Sequence, residues 1–282
     1  MNLIFGAGYM GKRLSEELGY KLISRKECDV SDQEQIKSVL EKENPQIVIN
    51  AVGKTSGPGS IGIDWCELNK EETLRSNVIA AINLCLECSL RKIYFVHLGS
   101  GCVYFGDNGG KCYTEEDESN FYAPQFYAST KIDSERILKN FPCLILRIRM
   151  PIDDKPSERN TIDKIKSYKK LIDEKNSMTT IPHMIKALKV LIEKRETGIF
   201  NFTNPGTISP AEIMRIYEEI VDSSHSFEVF SIQDLDKITV SKRSNCYLNT
   251  DKLNGVLKGS GAELPEIYEA VRECLLRYKE RI

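Results

Sequence analysis

An α/β fold with a doubly wound parallel sheet and a smaller C-terminal lobe is predicted by three features of this sequence. A short apolar run, Asn2-Leu3-Ile4-Phe5, leads directly into Gly6-Ala7-Gly8-Tyr9-Met10-Gly11, and Leu14 and Leu18 then share one helical face. Strand-like and helix-like segments alternate to about residue 150. Tyr127 and Lys131 stand four residues apart in a helical segment, downstream of Ser100 at the end of an apolar run.

The elements follow in order. Residues 2–5 read as a buried strand, and Lys12 to Leu18 as the helix beyond the glycine turn. Strand, tight turn and helix are the context in which Gly-x-Gly-x-x-Gly binds a dinucleotide. The glycines let the backbone approach a pyrophosphate, which rests on the helix N-terminus. Gly6, Gly8, Tyr9, Met10 and Gly11 are therefore cofactor candidates, and the fold is of Rossmann type. The second strand ends within Tyr20 to Lys26, at Ser24-Arg25-Lys26, with no carboxylate before Glu27. An acidic residue at this place binds the ribose 2′-hydroxyl of NAD, whereas an arginine accommodates a 2′-phosphate. Arg25 thus favours NADPH over NADH; Asp29 and Val30 are placed at the adenine.

Gln46 to Ala51 is a third strand, running into Val52-Gly53, and Ala51 and Gly53 join the cofactor candidates, as do Tyr127 and Lys131 further along the chain. A long helical segment spans Asp64 to Ser89. Ile93 to Leu98 is a fourth strand, Tyr127 to Asn140 a helix and Leu144 to Arg149 a fifth strand. Residues 1–150 are read as the NADP-binding part, with 181–204 returning to it. Residues 151–180 and 205–282 are read mainly as a substrate-binding lobe within one compact unit. Asp153 to Asn160 is a loop, Ile181 to Lys194 a helix, and Ile199 to Thr203 a short strand able to rejoin the sheet. Ser209-Pro210-Ala211-Glu212 has the pattern of a capping box with proline at the first helical position. The last amphipathic helix covers about Glu266 to Tyr278.

Composition narrows the class. The 282 residues carry a net charge of −2, with no basic stripe interleaved with aromatics, which argues against nucleic acid. No apolar run approaches the ~18 residues that span a membrane. A strand beginning at residue 2 leaves no room for a signal peptide, and nine scattered cysteines suit a reduced, cytoplasmic protein. Cys85-x-x-Cys88 sits mid-helix among apolar residues and reads as core, with no metal site. His97, inside an apolar strand, reads as a core histidine satisfied by its neighbours.

The chemistry concentrates at Ser100, Cys102, Tyr127 and Lys131. Spacing puts Tyr127 and Lys131 on one helix face, where a lysine ammonium stabilises a phenolate. A serine hydroxyl sharing the same carbonyl oxygen completes a proton donor poised over a carbonyl. Cys102 adds a softer acid/base, which hints at more than reduction.

These residues, with Asn50-Ala51-Val52-Gly53 and Asn77-Val78, resemble the extended short-chain dehydrogenase/reductases that act on nucleotide sugars. The resemblance covers nearly the whole chain. It sharpens at Asp64-Trp65-Cys66-Glu67, Gly101-Cys102-Val103-Tyr104, Arg147 to Ile152, Asn176 to Thr179, Asn201 to Gly206 and Arg243-Ser244-Asn245. There it looks like the bifunctional 3,5-epimerase/4-reductases of plant and giant-virus rhamnose synthesis, and more loosely like dTDP-4-dehydrorhamnose reductases. The resemblance implies conversion of an NDP-4-keto-6-deoxy-D-glucose to NDP-L-rhamnose with NADPH. Ser100, Tyr127 and Lys131 would be the reductase triad. Cys102 matches the epimerase cysteine, and Lys164, in Arg159-Asn160-Thr161-Ile162-Asp163-Lys164, the second epimerase acid/base. Ser100, Arg149, Asn160 and Arg243 would meet the substrate, although Arg243 fits equally a pairing with Asp236 or Asp251. The chain departs from the family in a shorter loop, Phe105 to Gly110, and in Pro124-Gln125-Phe126 before the tyrosine. Two other readings stay open: a 4-ketoreductase alone, or a non-catalytic nucleotide-binding regulatory subunit. A homodimer is compatible with any of them, and the nucleotide (UDP, dTDP or GDP) is left open.

Overall fold

The computed structural model describes residues 1–57, 62–122 and 125–282, so Pro124 of the family departure lies outside the described residues. Leu3, Ile4 and Phe5 are fully buried and form β1 (Leu3–Phe5). Such an unbroken apolar run is what a strand covered on both faces requires. Then come α1 (Tyr9–Leu18), β2 (Lys21–Ile23), α2 (Gln33–Glu43), β3 (Ile47–Asn50), α3 (Asp64–Leu68) and α4 (Lys70–Leu74). A π-helical turn, Arg75–Ile79, leads into α5 (Ala80–Leu90), β4 (Tyr94–Ser100), α6 (Phe126–Leu138) and β5 (Leu144–Ile148). The chain continues through α7 (Thr161–Lys166), β6 (Lys170–Ile172), α8 (Ile181–Glu193), β7 (Gly198–Asn201), α9 (Pro210–Ile220) and β8 (Glu228–Phe230). It ends with α10 (Ile232–Ile238), α11 (Asp251–Leu257) and α12 (Ile267–Lys279).

Six strands form one sheet in the order β2-β1-β3-β4-β5-β7. β1 pairs in parallel with β2 on one side and β3 on the other, and β3 with β4. The chain thus leaves β1 for one edge and returns on its far side. The carboxyl ends of β1 and β3 flank this switch point, where open α/β sheets bind ligands.

Contacts divide the chain into two compact units. The first comprises Met1–Val103, Ser119–Arg147 and Glu193–Phe200. Its core packs Leu3, Phe5, Val48 and Phe95 of the sheet with Ile36 and Leu40 of α2 and Leu84 and Cys88 of α5. Cys85 and Cys88 are buried there as small apolar side chains, and burial pushes the Cys88 thiol up. The second unit comprises Tyr104–Glu118, Ile148–Ile192 and Asn201–Ile282. Its core joins Ile162 and Ile165 of α7, Met214 and Tyr217 of α9, and Val271 and Leu275 of α12. β6 and β8 form a separate two-stranded parallel ribbon. Ser209 and Glu212 make the expected capping box at α9.

Two expectations need adjustment. The helical segment read over 64–89 is broken at Asn69 (φ −131°, ψ 57°), and α4, the π-turn and α5 run on without interruption beyond it. The asparagine amide donates to Trp65 O at 2.9 Å and so stabilises the break. Second, the strand returning to the sheet begins earlier than read, at Gly198, and lies at the edge beside β5.

The glycine loop is fixed by contact distances. Gly6 has φ +106°, and a Cβ there would lie 2.8 Å from the backbone of Ala51 and Val52. A Cβ on Gly11 would lie 1.9 Å from Gly6 O, so α1 can approach β1 only because that position has no side chain. A Cβ on Gly8 would meet open space. Gly11→Ala should therefore cost at least about 1–3 kcal/mol of overpacking and visibly lower the Tm by circular dichroism. Gly8→Ala meets no clash and changes only a helix cap, at a cost of up to about 1 kcal/mol, so it should lower the Tm less than Gly11→Ala.

Candidate active site

A cleft of about 320 Å³ opens at the switch point. Gly6 and Gly8 line it from the β1 turn, Ala51 and Gly53 from the end of β3, and Arg25 and Asp29 from beyond β2. Gly8 caps α1 and, having no side chain, makes no side-chain cap hydrogen bond. Such an uncapped, glycine-walled helix start is suited to a phosphate. Arg25 is two-thirds exposed, with Nη2 3.4 Å from Asp29 and Nη1 3.6 Å from Glu72. Asp29 accepts from the Ser31 N–H and hydroxyl, and these bonds, aided by Arg25, hold its carboxyl below the usual range. Val30 is buried beside it. Gly6, Gly8, Arg25, Asp29, Val30, Ala51 and Gly53 of the cofactor candidates thus line one cleft.

The reacting candidates cluster at the end of β4, in the same unit. Ser100 is the last residue of that strand and is buried; its hydroxyl accepts the Cys102 N–H at 3.1 Å. Cys102 is half-buried. Tyr127 and Lys131 lie in the first half of α6, both buried. Lys131 Nζ donates to Leu98 O at 3.1 Å and lies 3.5 Å from His97 Nε2, which ties α6 to the end of β4. Burial lowers Lys131 to about 8, against the opposing influence of Glu135 and Cys102. Glu135 is itself held by a bidentate pair with Arg147, at 2.9 and 2.7 Å.

Three residues that the sequence reading did not place in the site hold α6 in position. Glu67 accepts the Phe126 N–H at 2.6 Å and so caps the helix that carries Tyr127. Its signal was the Asp64-Trp65-Cys66-Glu67 motif, whose purpose the sequence did not disclose. Asn77, in the π-turn, accepts the Lys54 N–H at 2.7 Å and donates to Thr130 Oγ1 at 3.2 Å. π-turns are frequent at functional sites. Asn50 donates to His97. His97 is buried and hydrogen-bonded, as its apolar strand suggested.

The remaining candidates belong to the second unit. The resemblance puts Arg149 and Asn160 at the substrate; both are buried within this unit. Arg149 is 1 % exposed. Its guanidinium donates to Ser177 O, Ser244 Oγ, Cys246 Sγ, Asn176 Oδ1 and Ser244 O. That is a structural clasp between two segments. The buried Asn160 amide accepts from Asp153 and Ile162 N–H and donates to Asp153 O and Lys155 O, capping α7. Lys164 is half-buried on α7, and Arg243 donates to Ser241 O at 2.9 Å.

Fold and site define an extended short-chain dehydrogenase/reductase. More particularly, the chain belongs to the family described as the RmlD substrate binding domain, whose model matches residues 3–277. It is 34 % identical over 256 residues to a bifunctional dTDP-4-dehydrorhamnose 3,5-epimerase/dTDP-4-dehydrorhamnose reductase of Arabidopsis thaliana, covering 88 % of this chain and 81 % of that one. The crystal structure of the L780 UDP-rhamnose synthase of Acanthamoeba polyphaga mimivirus superposes with a TM-score of 0.91, at 31 % identity over 98 % of both chains. A dTDP-4-dehydrorhamnose reductase of Bacillus anthracis, crystallised with NADP, shares the fold at 20 % identity, with a TM-score of 0.79 over 98 % of both chains.

If Arg25 meets a 2′-phosphate, Arg25→Ala should weaken NADPH binding by roughly tenfold, the worth of one charge-assisted contact of about 1.4 kcal/mol. NADH binding should be nearly unchanged. Fluorescence titration with both cofactors measures this, and equal losses for the two would contradict it.

Proposed function

We propose that this chain is a nucleotide-sugar 3,5-epimerase/4-ketoreductase, converting an NDP-4-keto-6-deoxy-D-glucose to NDP-L-rhamnose with NADPH. The observation that carries this reading is the grouping of Ser100, Cys102 and Lys131 at the end of β4, with Tyr127 one turn before the lysine. A reductase needs the serine, tyrosine and lysine. The half-buried Cys102, whose backbone N–H is held by the serine hydroxyl, adds a thiol as a further acid/base. The bifunctional Arabidopsis relative supports its use in epimerisation.

The glycine-walled cleft would hold the cofactor, and Lys164 and Arg243 would act on the sugar nucleotide, as the family resemblance implies. The C4 ketone acidifies the hydrogens on C3 and C5. Inversion at each carbon needs a base on one face and an acid on the other, the roles of Cys102 and Lys164. Ser100 and Tyr127 hold the enolate oxygen that forms between the two. NADPH supplies the hydride for C4 when bound. Tyr127 then gives its proton to the C4 oxygen, and Lys131 replaces the proton on the phenolate.

The two activities separate by mutation. Tyr127→Phe should lower NADPH oxidation by about 10²–10⁴-fold while NADPH still binds. Cys102→Ser and Lys164→Met should abolish deuterium incorporation from D₂O at C3 and C5, followed by NMR, and yield no 6-deoxy-L-mannose product. Full exchange in the Cys102 variant would reduce the chain to a 4-ketoreductase.

A further inference from the structure

Beside the reacting cluster lies a buried chain of hydrogen bonds with a defined direction. The Val52 N–H donates to Asn50 Oδ1 at 2.9 Å, which settles which end of this fully buried amide is oxygen. The other end, Nδ2, lies 3.1 Å from His97 Nδ1. An amide nitrogen only donates, so Nδ1 accepts, and a neutral imidazole that accepts at Nδ1 carries its proton on Nε2. Burial, with Lys131 adding to it, keeps His97 neutral by holding its pKa well below the usual value. Nε2 lies 3.5 Å from Lys131 Nζ. An N–H is therefore turned towards the lysine nitrogen. Against an ammonium this sets donor against donor; against an amine it meets the lone pair.

We propose that Asn50 and His97 are positioning residues for Lys131, whose directed donor makes the lysine a proton carrier alternating between ammonium and amine rather than a fixed cation. The inference rests on the reductase reading for its use in turnover. Other groups that bear on Nζ are Leu98 O, Glu135 and Cys102. The carbonyl accepts in either state, and the two acidic side chains favour the ammonium. The imidazole N–H is the neighbour that favours the amine. When the Tyr127 phenolate takes a proton from Lys131, the N–H bond of the ammonium breaks and an O–H bond forms. The amine left behind then accepts from His97 Nε2, until a proton from water restores the ammonium.

NMR of ligand-free protein labelled with [¹⁵N]histidine and [¹³Cε]lysine tests this without any sugar substrate. His97 and Lys131 signals are assigned by their loss in His97→Gln and Lys131→Met. The expected result is an Nε2–H tautomer for His97 and a Lys131 midpoint near 8. In His97→Gln the side-chain oxygen can face Nζ, and the midpoint should rise by about one unit. The basic limb of the kcat profile should follow it, with KM for NADPH unchanged. An Nδ1–H tautomer in the wild type, or a Lys131 midpoint unmoved in His97→Gln, overturns the proposal. Should His97→Gln fail to fold, the wild-type tautomer decides. Absence of turnover on 4-keto sugars would count against the reductase reading and leave the two NMR readouts intact.

Discussion

Lys131 brings an amino group into a position almost closed to solvent, and the first unit is arranged around that demand. Burying a cation costs several kcal/mol unless polar partners replace its hydration. The available acceptor is Leu98 O, near the carboxyl end of β4, and α6 must dock against that end to reach it. Docking there carries Tyr127 one turn earlier on the same helix, beside the strand end that holds Ser100, with Cys102 just beyond it. Glu67 at the helix start and Asn77 against Thr130 fix the remaining freedom of α6. The cluster is thus held by hydrogen bonds to backbone and short polar side chains, groups with little conformational entropy of their own to lose.

The nucleotide cleft is shaped by an opposite means, the absence of side chains. Gly6 and Gly11 are required by contact with protein backbone, and Gly8 by the open space it preserves. These are different uses of one motif, and only the last concerns a ligand directly. At the far end of the cleft, Arg25 is exposed between two carboxylates. A ligand phosphate would compete with both, so selectivity here is the difference between similar interactions, and salt screens them all.

Much of this was legible in the sequence, because the fold's signals are local. An apolar tripeptide before a glycine turn, alternating elements, a serine-proline-x-glutamate cap and a tyrosine four residues before a lysine each act within a few residues. The gathering of Gly6, Gly8, Arg25 and Ala51 around one cleft, and the placement of Ser100 at the end of β4 and of Tyr127 and Lys131 on α6, followed from them. What was not legible depends on long-range partners. The guanidinium of Arg149 meets residues 176–177 and 244–246, far away in sequence. The capping of α7 by Asn160, with its bonds to Asp153 and Lys155, gave no local signal either. The passage of residues 104–118 into the second unit, and the break at Asn69 with its π-turn, carry no periodic signature.

On the proposed reading, the reductase chemistry draws on Ser100, Tyr127 and Lys131, while epimerisation also needs Cys102 and Lys164. The most direct measurement is of the product itself. Purified protein incubated with UDP- or dTDP-4-keto-6-deoxyglucose and NADPH, and no other enzyme, should consume cofactor. NMR of the released sugar should show 6-deoxy-L-mannose. A 6-deoxy-D-hexose instead, or no consumption of NADPH with either nucleotide, would contradict the account.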